Sequence, residues 1–229
     1  MVSTPENKNY KVIGTRPIRH DGYDKVTGRA QYGADIKLPG MLIGAVVRSP
    51  HAHARIKSID TSEAERLDGV FAVMTAKDLP RLGDVVRGNS EESGSEKHLS
   101  ENVMAFDKVL YKGHVVAGVA AKDQNTAFEA AKKIKVDYEI LKPVIDVDQA
   151  MSKDAPILHE DYTCDHLGKE VKNSNVAAHV RHENGDLENG FDKADLVVEK
   201  EVDMQTVHQG YIEPHSGTAV WDEEDRVKV

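Results

Sequence analysis

The order of apolar and polar positions divides this chain into short strands and helices, with few long runs of either kind. "MLIGAVV", 41–47, follows the turn signal Pro39-Gly40 and is almost continuously apolar, the pattern of a strand covered on both faces. "RSPHAHARIKSID", 48–60, alternates instead: as a strand it would set His51, His53, Arg55 and Lys57 on one face and Ala52, Ala54 and Ile56 on the other. Asp60 then predicts a short helix, with Glu63 completing a capping box and Asp68-Gly69 as its stop. "VFAVM", 70–74, returns as a strand.

A second unit repeats this logic. "VVAGVAA", 115–121, predicts a buried strand. In "NTAFEAAKKI", 125–134, Ala127, Ala130, Ala131 and Ile134 recur at helical spacing and predict an amphipathic helix. "KVDYEI", 135–140, alternates Val136, Tyr138 and Ile140 on one buried face. Strand–helix–strand units of this kind predict an α/β (α+β) domain over roughly 20–145. Between them, 83–100 is rich in Gly, Ser and charge and reads as a loop, while 142–175 reads as an irregular connection.

Toward the end, 185–195 predicts a short helix and "LVVEKEVDMQTV", 196–207, a long alternating strand. "SGTAVWD", 216–222, predicts another strand, "EED" a turn, and "RVKV" the start of a third. An arm cut off there would expose unpaired backbone groups and an apolar side, so the chain is expected to be part of something larger.

Composition narrows the chemistry. The 229 residues suffice for one large domain or two small ones, and 39% apolar against 30% charged is ordinary globular usage. A net charge of -9 and the lack of any basic stripe argue against a nucleic-acid partner. The single cysteine, Cys164, rules out an intrachain disulfide and a thiolate metal cage, and points to a reducing, cytoplasmic setting. Flanked by Asp161 and Asp165, it reads as a bystander. The polar start is no signal peptide, and no apolar run approaches the ~18 residues of a membrane helix.

His51 and His53 are spaced to share a strand face, but Arg55 and Lys57 would sit beside them and repel a cation, with no carboxylate near. They read as structural, and no metal ligand is expected in this chain. "DEED", 222–225, and "GDLENG" read as solvated surface, the glycines make no phosphate cradle, and no nucleophile–base set supports a small hydrolase.

Five stretches carry a family resemblance. "DKVTGRAQYGAD", "RSPHAHARI", "DGVFAVMTAKDLP", "VLYKGHVVAGVAA" and "HQGYIEPHSGTAVW" occur in the order seen in the large, molybdopterin-binding subunit of molybdenum hydroxylases, the xanthine dehydrogenase and aldehyde oxidase family. From Gly14 onward the chain resembles the N-terminal part of that subunit. The resemblance implies a tail at 1–13, an α/β-hammerhead domain at 14–145, a connection at 146–164, and an incomplete molybdenum-cofactor-binding domain at 165–229.

It also implies an oxidoreductase that hydroxylates a heterocycle or aldehyde carbon with oxygen from water. Electrons would pass from a molybdopterin cofactor (Mo) to [2Fe–2S] clusters and usually FAD, held on partner domains or subunits. The expected partners are the remainder of the molybdopterin-binding subunit, the iron–sulfur and FAD subunits and a small-molecule substrate, with no nucleic acid and no membrane. The family's glycine-rich cofactor loop and catalytic glutamate have no counterpart in these residues. No catalytic residue is therefore expected here, and this piece acts as scaffold and interface, either as a truncation or as one part of a split subunit. In the family, a glutamine six residues before the motif glutamate often bonds an oxo ligand of the metal. Counting back from Glu213 gives Val207, which has no donor. Either a bulge re-aims the adjacent His208 or the contact is missing. His208 and Glu213 are the cofactor-binding candidates, Glu213 in support of the backbone. A free-standing, non-catalytic hammerhead that binds or assembles other proteins is the alternative.

Overall fold

A computed structural model of the chain describes residues 11–80, 86–87 and 94–229. In order, the elements are α1 (Gly22–Thr27), β1 (Ile43–Arg48), β2 (Ala54–Asp60), α2 (Ser62–Glu65), β3 (Val70–Thr75), β4 (Val86–Arg87), β5 (Gly94–Ser95), α3 (Glu96–Val103), β6 (Lys108–Val109) and β7 (Val115–Ala121). There follow α4 (Gln124–Lys133), β8 (Lys135–Ile140), α5 (Val147–Met151), β9 (Thr163–His166), β10 (Lys169–Lys172), β11 (Ala178–His179), α6 (Leu187–Asp192), β12 (Val220–Trp221) and β13 (Val227–Lys228). The described residues fall into two compact units, Gly40–Lys200 and a second from 11–39 with 201–229.

In Gly40–Lys200, β7 is the central strand of an antiparallel sheet ordered β1-β7-β3. Its alternate residues face two cores. Ala117, Val119 and Ala121 pack with Ala45, Ala64, Ala127, Ala130 and Ile134 under α2 and α4. Val116 packs instead with Ala54, Ala105 and Val109, beside the second antiparallel sheet β6-β2-β8. A strand apolar on both faces is thus buried on both faces, as its composition predicts. Each fully buried valine contributes about 1.5–3 kcal/mol.

Helix α4 forms where the periodicity places it. Asp123 accepts from Thr126 N–H at 2.8 Å as N-cap, Ala127 and Ala130 are fully buried, and Lys132 and Lys133 sit at the negative end of the helix dipole. A third small sheet, β10-β9-β11, pairs β9 with β11 in parallel.

Several expectations change. β1 is an edge strand in which only Ala45 is buried, because Ala45 faces the core under α4 while Val46, on the other face, is left half exposed. β2 starts at Ala54, so His51 and His53 precede it and do not share the face of Arg55 and Lys57. Thr61, not Asp60, is the N-cap of α2. Asp60 still accepts from Ser62 N–H at 3.0 Å, but Glu63 pairs with Lys135 across the fold in place of a capping box. Ile140 is 68% exposed at the end of β8. The loop expected at 83–100 holds β4, β5 and most of α3, and its remaining positions lie outside the described residues. The connection expected at 142–175 contains α5, β9 and β10. The strand expected at 196–207 is not formed, and that expected at 216–222 is confined to Val220–Trp221.

In the second unit, α1 ends at Gly28 in the left-handed region, φ +74°, where Arg29 and Ala30 N–H groups close back onto Asp24 O. β12 and β13 form the expected hairpin. Its turn is organised by Asp222, whose carboxylate accepts from the Glu224 and Arg226 N–H groups at 3.0 Å and pairs with Lys228 at 3.1 Å. With its side chain only 13% exposed, Asp222 is a structural acceptor and not the plain surface charge the sequence suggested.

Candidate functional site

Within the second unit, the stretch 205–217 runs without regular structure and turns at Gly210, whose φ of +69° requires the left-handed region. Gly210 N–H donates to His208 Nδ1 at 2.9 Å. Because Nδ1 accepts, the neutral ring carries its proton on Nε2 and presents that atom as a donor. The rings of His208, Tyr211 and His215 form a chain, edge to face, at 5.3 and 5.2 Å between centroids. Glu213 is exposed in the bend between Tyr211 and Pro214.

His208 sits neither on a strand nor at a bulge, so the question of which strand face it occupies does not arise; the Gly210 turn orients it. The structure brings His208, Tyr211 and His215 together and leaves Glu213 outside that chain of rings. Sequence reading passed over the close approach of Gly33 to the same stretch. A Cβ on Gly33 would collide with the Ser216 hydroxyl, so the turn at Gly33–Asp35 and the motif pack directly. Its glycine spacing gave no signal, because a side chain's absence matters only once the neighbour is known.

His51 and His53, ahead of β2, have other work. His53 is buried, with Nδ1 2.7 Å from Lys142 O, and its Nε2 has no hydrogen-bond partner among the described residues. His51 stacks edge-on against Tyr138 at 5.1 Å.

In Gly40–Lys200, a cavity of about 340 Å³ is lined by Arg55, Phe106, Lys108, His159 and Glu160 among others. Glu160 lies 3.8 Å from Arg55 and 3.6 Å from Lys108, so the two cations converge on one carboxylate. Lys108, 14% exposed, is the more sheltered partner.

Comparison with known proteins bears on both units. Residues 27–142 match the model of the aldehyde oxidase and xanthine dehydrogenase a/b hammerhead domain, and 168–229 that of the molybdopterin cofactor-binding domain. The chain is 40% identical over 205 residues to the carbon monoxide dehydrogenase large chain of Afipia carboxidovorans, covering 88% of this chain and 24% of that one. It is 31% identical over 225 residues to the nicotinate dehydrogenase large molybdopterin subunit of Eubacterium barkeri, covering 97% and 47%. The solved carbon monoxide dehydrogenase from Oligotropha carboxidovorans is similar with a TM-score of 0.56 and 44% identity, over 65% of this chain and 18% of that one. The chain thus spans a quarter to a half of the length of these curated relatives.

A molybdopterin cofactor would ask this stretch for hydrogen-bond donors to oxygen acceptors. His208 Nε2–H meets that demand as a donor, whereas a metal ligand would need a lone pair there; Val207 offers neither. His208 therefore fits as an outer hydrogen-bonding group.

Proposed function

This chain belongs to the aldehyde oxidase and xanthine dehydrogenase family, and from that premise we propose that it is the N-terminal portion of the molybdopterin-binding subunit of a molybdenum-dependent hydroxylase. The observation that carries this reading is the succession, in one chain and in order, of a hammerhead match at 27–142 and a cofactor-domain match at 168–229. We assign the hammerhead to 14–145 and the start of the cofactor-binding domain to 165–229. When bound, the molybdenum–pterin group supplies the oxidation that hydroxylates an electron-poor carbon with oxygen from water.

The chain's own residues hold and orient. The Gly210 turn fixes the His208 ring, and with the cofactor bound His208 Nε2–H would donate to an oxygen of its shell. Glu213, exposed in its bend, would accept from backbone N–H groups once the cofactor is held. The two cores of Gly40–Lys200 make a rigid body against which the rest of the subunit packs, with iron–sulfur and FAD subunits completing the electron path. A single cysteine suits work in the cytoplasm. Among the described residues, no helix is long and apolar enough to cross a membrane.

The test is metal and pterin content of the native complex purified through a tag on this chain. Near-equimolar molybdenum is expected, and its absence from an intact complex removes the assignment in favour of a binding or assembly module. Within a loaded complex, His208→Gln should keep more turnover than His208→Leu, because only glutamine retains a donor.

A further inference from the structure

The small sheet β10-β9-β11 carries a pair of imidazoles that none of these roles uses. His166 ends β9, His179 ends β11, and the parallel register sets one opposite the other. Both side chains are exposed. The backbone holds them in place: Leu167 N–H donates to His179 O at 3.1 Å, and β9 reverses into β10 through two left-handed residues, Leu167 at φ +54° and Gly168 at φ +79°. The ring centroids are 4.5 Å apart at 76°, and the two Nδ1 atoms are 3.2 Å apart.

With both rings neutral, this contact needs one ring to carry its proton on Nδ1 and the other on Nε2. Two imidazole nitrogens on a tetrahedral ion, each about 2.0–2.1 Å from the metal, stand roughly 3.3 Å apart. The separation found is close to that bite. We propose that His166 and His179 form a two-imidazole site for a divalent transition ion, Zn²⁺, Ni²⁺ or Cu²⁺. Binding moves the one Nδ1 proton to Nε2 of the same ring, so both Nδ1 lone pairs face the ion and no proton leaves the protein.

The surroundings give room and set the strength. A cavity of about 430 Å³ beside His179, lined also by Leu167, Gly168, Val180, Arg181 and Glu183, accommodates the waters that complete the shell. Glu183 is held by Arg181, with Nε 2.7 Å from Oε1, and those two charges offset each other. Lys169 stands opposite His166 in β10 and opposes a cation there. The earlier pair cannot compete: His53 is buried with its Nδ1 on Lys142 O, and His51 lies against Tyr138. Among the described residues no group of three or more His, Cys, Asp or Glu is arranged to hold a metal, so this is a two-ligand site with water in the other positions.

The site stands apart from the molybdenum reading and is tested on the full chain by calorimetric titration with Ni²⁺ and Zn²⁺. One equivalent is expected, with affinity falling at least about tenfold in His166→Gln and in His179→Gln and rising in Lys169→Gln. In NMR spectra, substoichiometric Cu²⁺ should broaden amides of 163–169 and 178–183 first. Unchanged affinity in both histidine variants overturns the site. So does broadening centred on His51 or His208, a readout on the unaltered chain that decides the matter even if a variant fails to fold.

Discussion

His114 shows how a polar residue can anchor a core. It is fully buried, accepts from Leu110 N–H at Nδ1, donates from Nε2 to Glu101 O at 2.9 Å, and stacks on Tyr111 at 4.4 Å. Burial pushes its pKa below the ordinary 6.5, against a smaller opposite pull from the Glu101 carbonyl. The sign follows. Below 6.5 the unfolded chain takes up a proton that the folded chain refuses until its own lower pKa is reached, so stability falls with pH across that interval. The slope approaches about 1.4 kcal/mol per pH unit for one proton. Urea midpoints at pH 7.5 and 5.5 should drop for the natural chain, and His114→Gln, less stable at pH 7.5, should show a smaller drop; an identical drop would acquit His114. Nothing in "YKGHVV" marks this residue, because its burial comes from partners distant in sequence. The same holds for His53: alternation suggested a surface face, but the strand begins one residue later than His53. The motif makes His208 a candidate, while the turn that sets its tautomer gives no signal in the sequence.

Among elements, those that carry their own instructions were the readable ones. α4 combines periodic alanines, a local Asp123 cap and terminal lysines, and it forms where the pattern puts it. β7 was legible because a run without polar residues has nowhere to go but inside. Ala130 tests the packing directly. Replacing it with leucine should overpack the contact with β1 and β7 and cost about 1–3 kcal/mol in chemical denaturation, whereas Lys132→Leu on the exposed side should stay within about 0.5 kcal/mol. Equal effects would mean that the helix does not seat on the sheet as described. Elements whose formation does not rest on apolar periodicity were misread. β9 and β10 were hidden in a stretch without strong apolar alternation, since their pairing rests on the Leu167-Gly168 reversal more than on buried side chains. Glu63 had the spacing for a capping box, yet Lys135, distant in sequence, offers the carboxylate a full charge.

At the scale of the whole molecule, the segment 196–207 connects pattern to assembly. Apart from Lys200, the positions from Val198 to Met204 alternate, with Glu199, Glu201 and Asp203 between the apolar ones in the manner of a half-buried strand, yet Val198, Val202 and Met204 are each at least 70% exposed and no strand forms. Alternation encodes a face, but a strand also needs a neighbour to take its N–H and C=O groups, and these residues have none to pair with among the described ones. The relatives are two to four times longer than the matched part, and the proposed function supplies the missing neighbour from the remainder of the subunit. Hydrogen exchange follows directly. In the chain alone, amides of 196–207 should exchange at rates near those of an unstructured peptide, while those of β7 remain protected. In the assembled complex, alternate amides of 196–207 should slow by at least about tenfold, the mark of a ladder formed on one edge. Val198→Asp and Met204→Asp should weaken assembly and leave the thermal midpoint of the isolated chain unchanged, because neither side chain is buried there. Fast exchange of the whole segment in an intact, molybdenum-loaded complex would separate the pattern from assembly and make these apolar residues a surface of another kind.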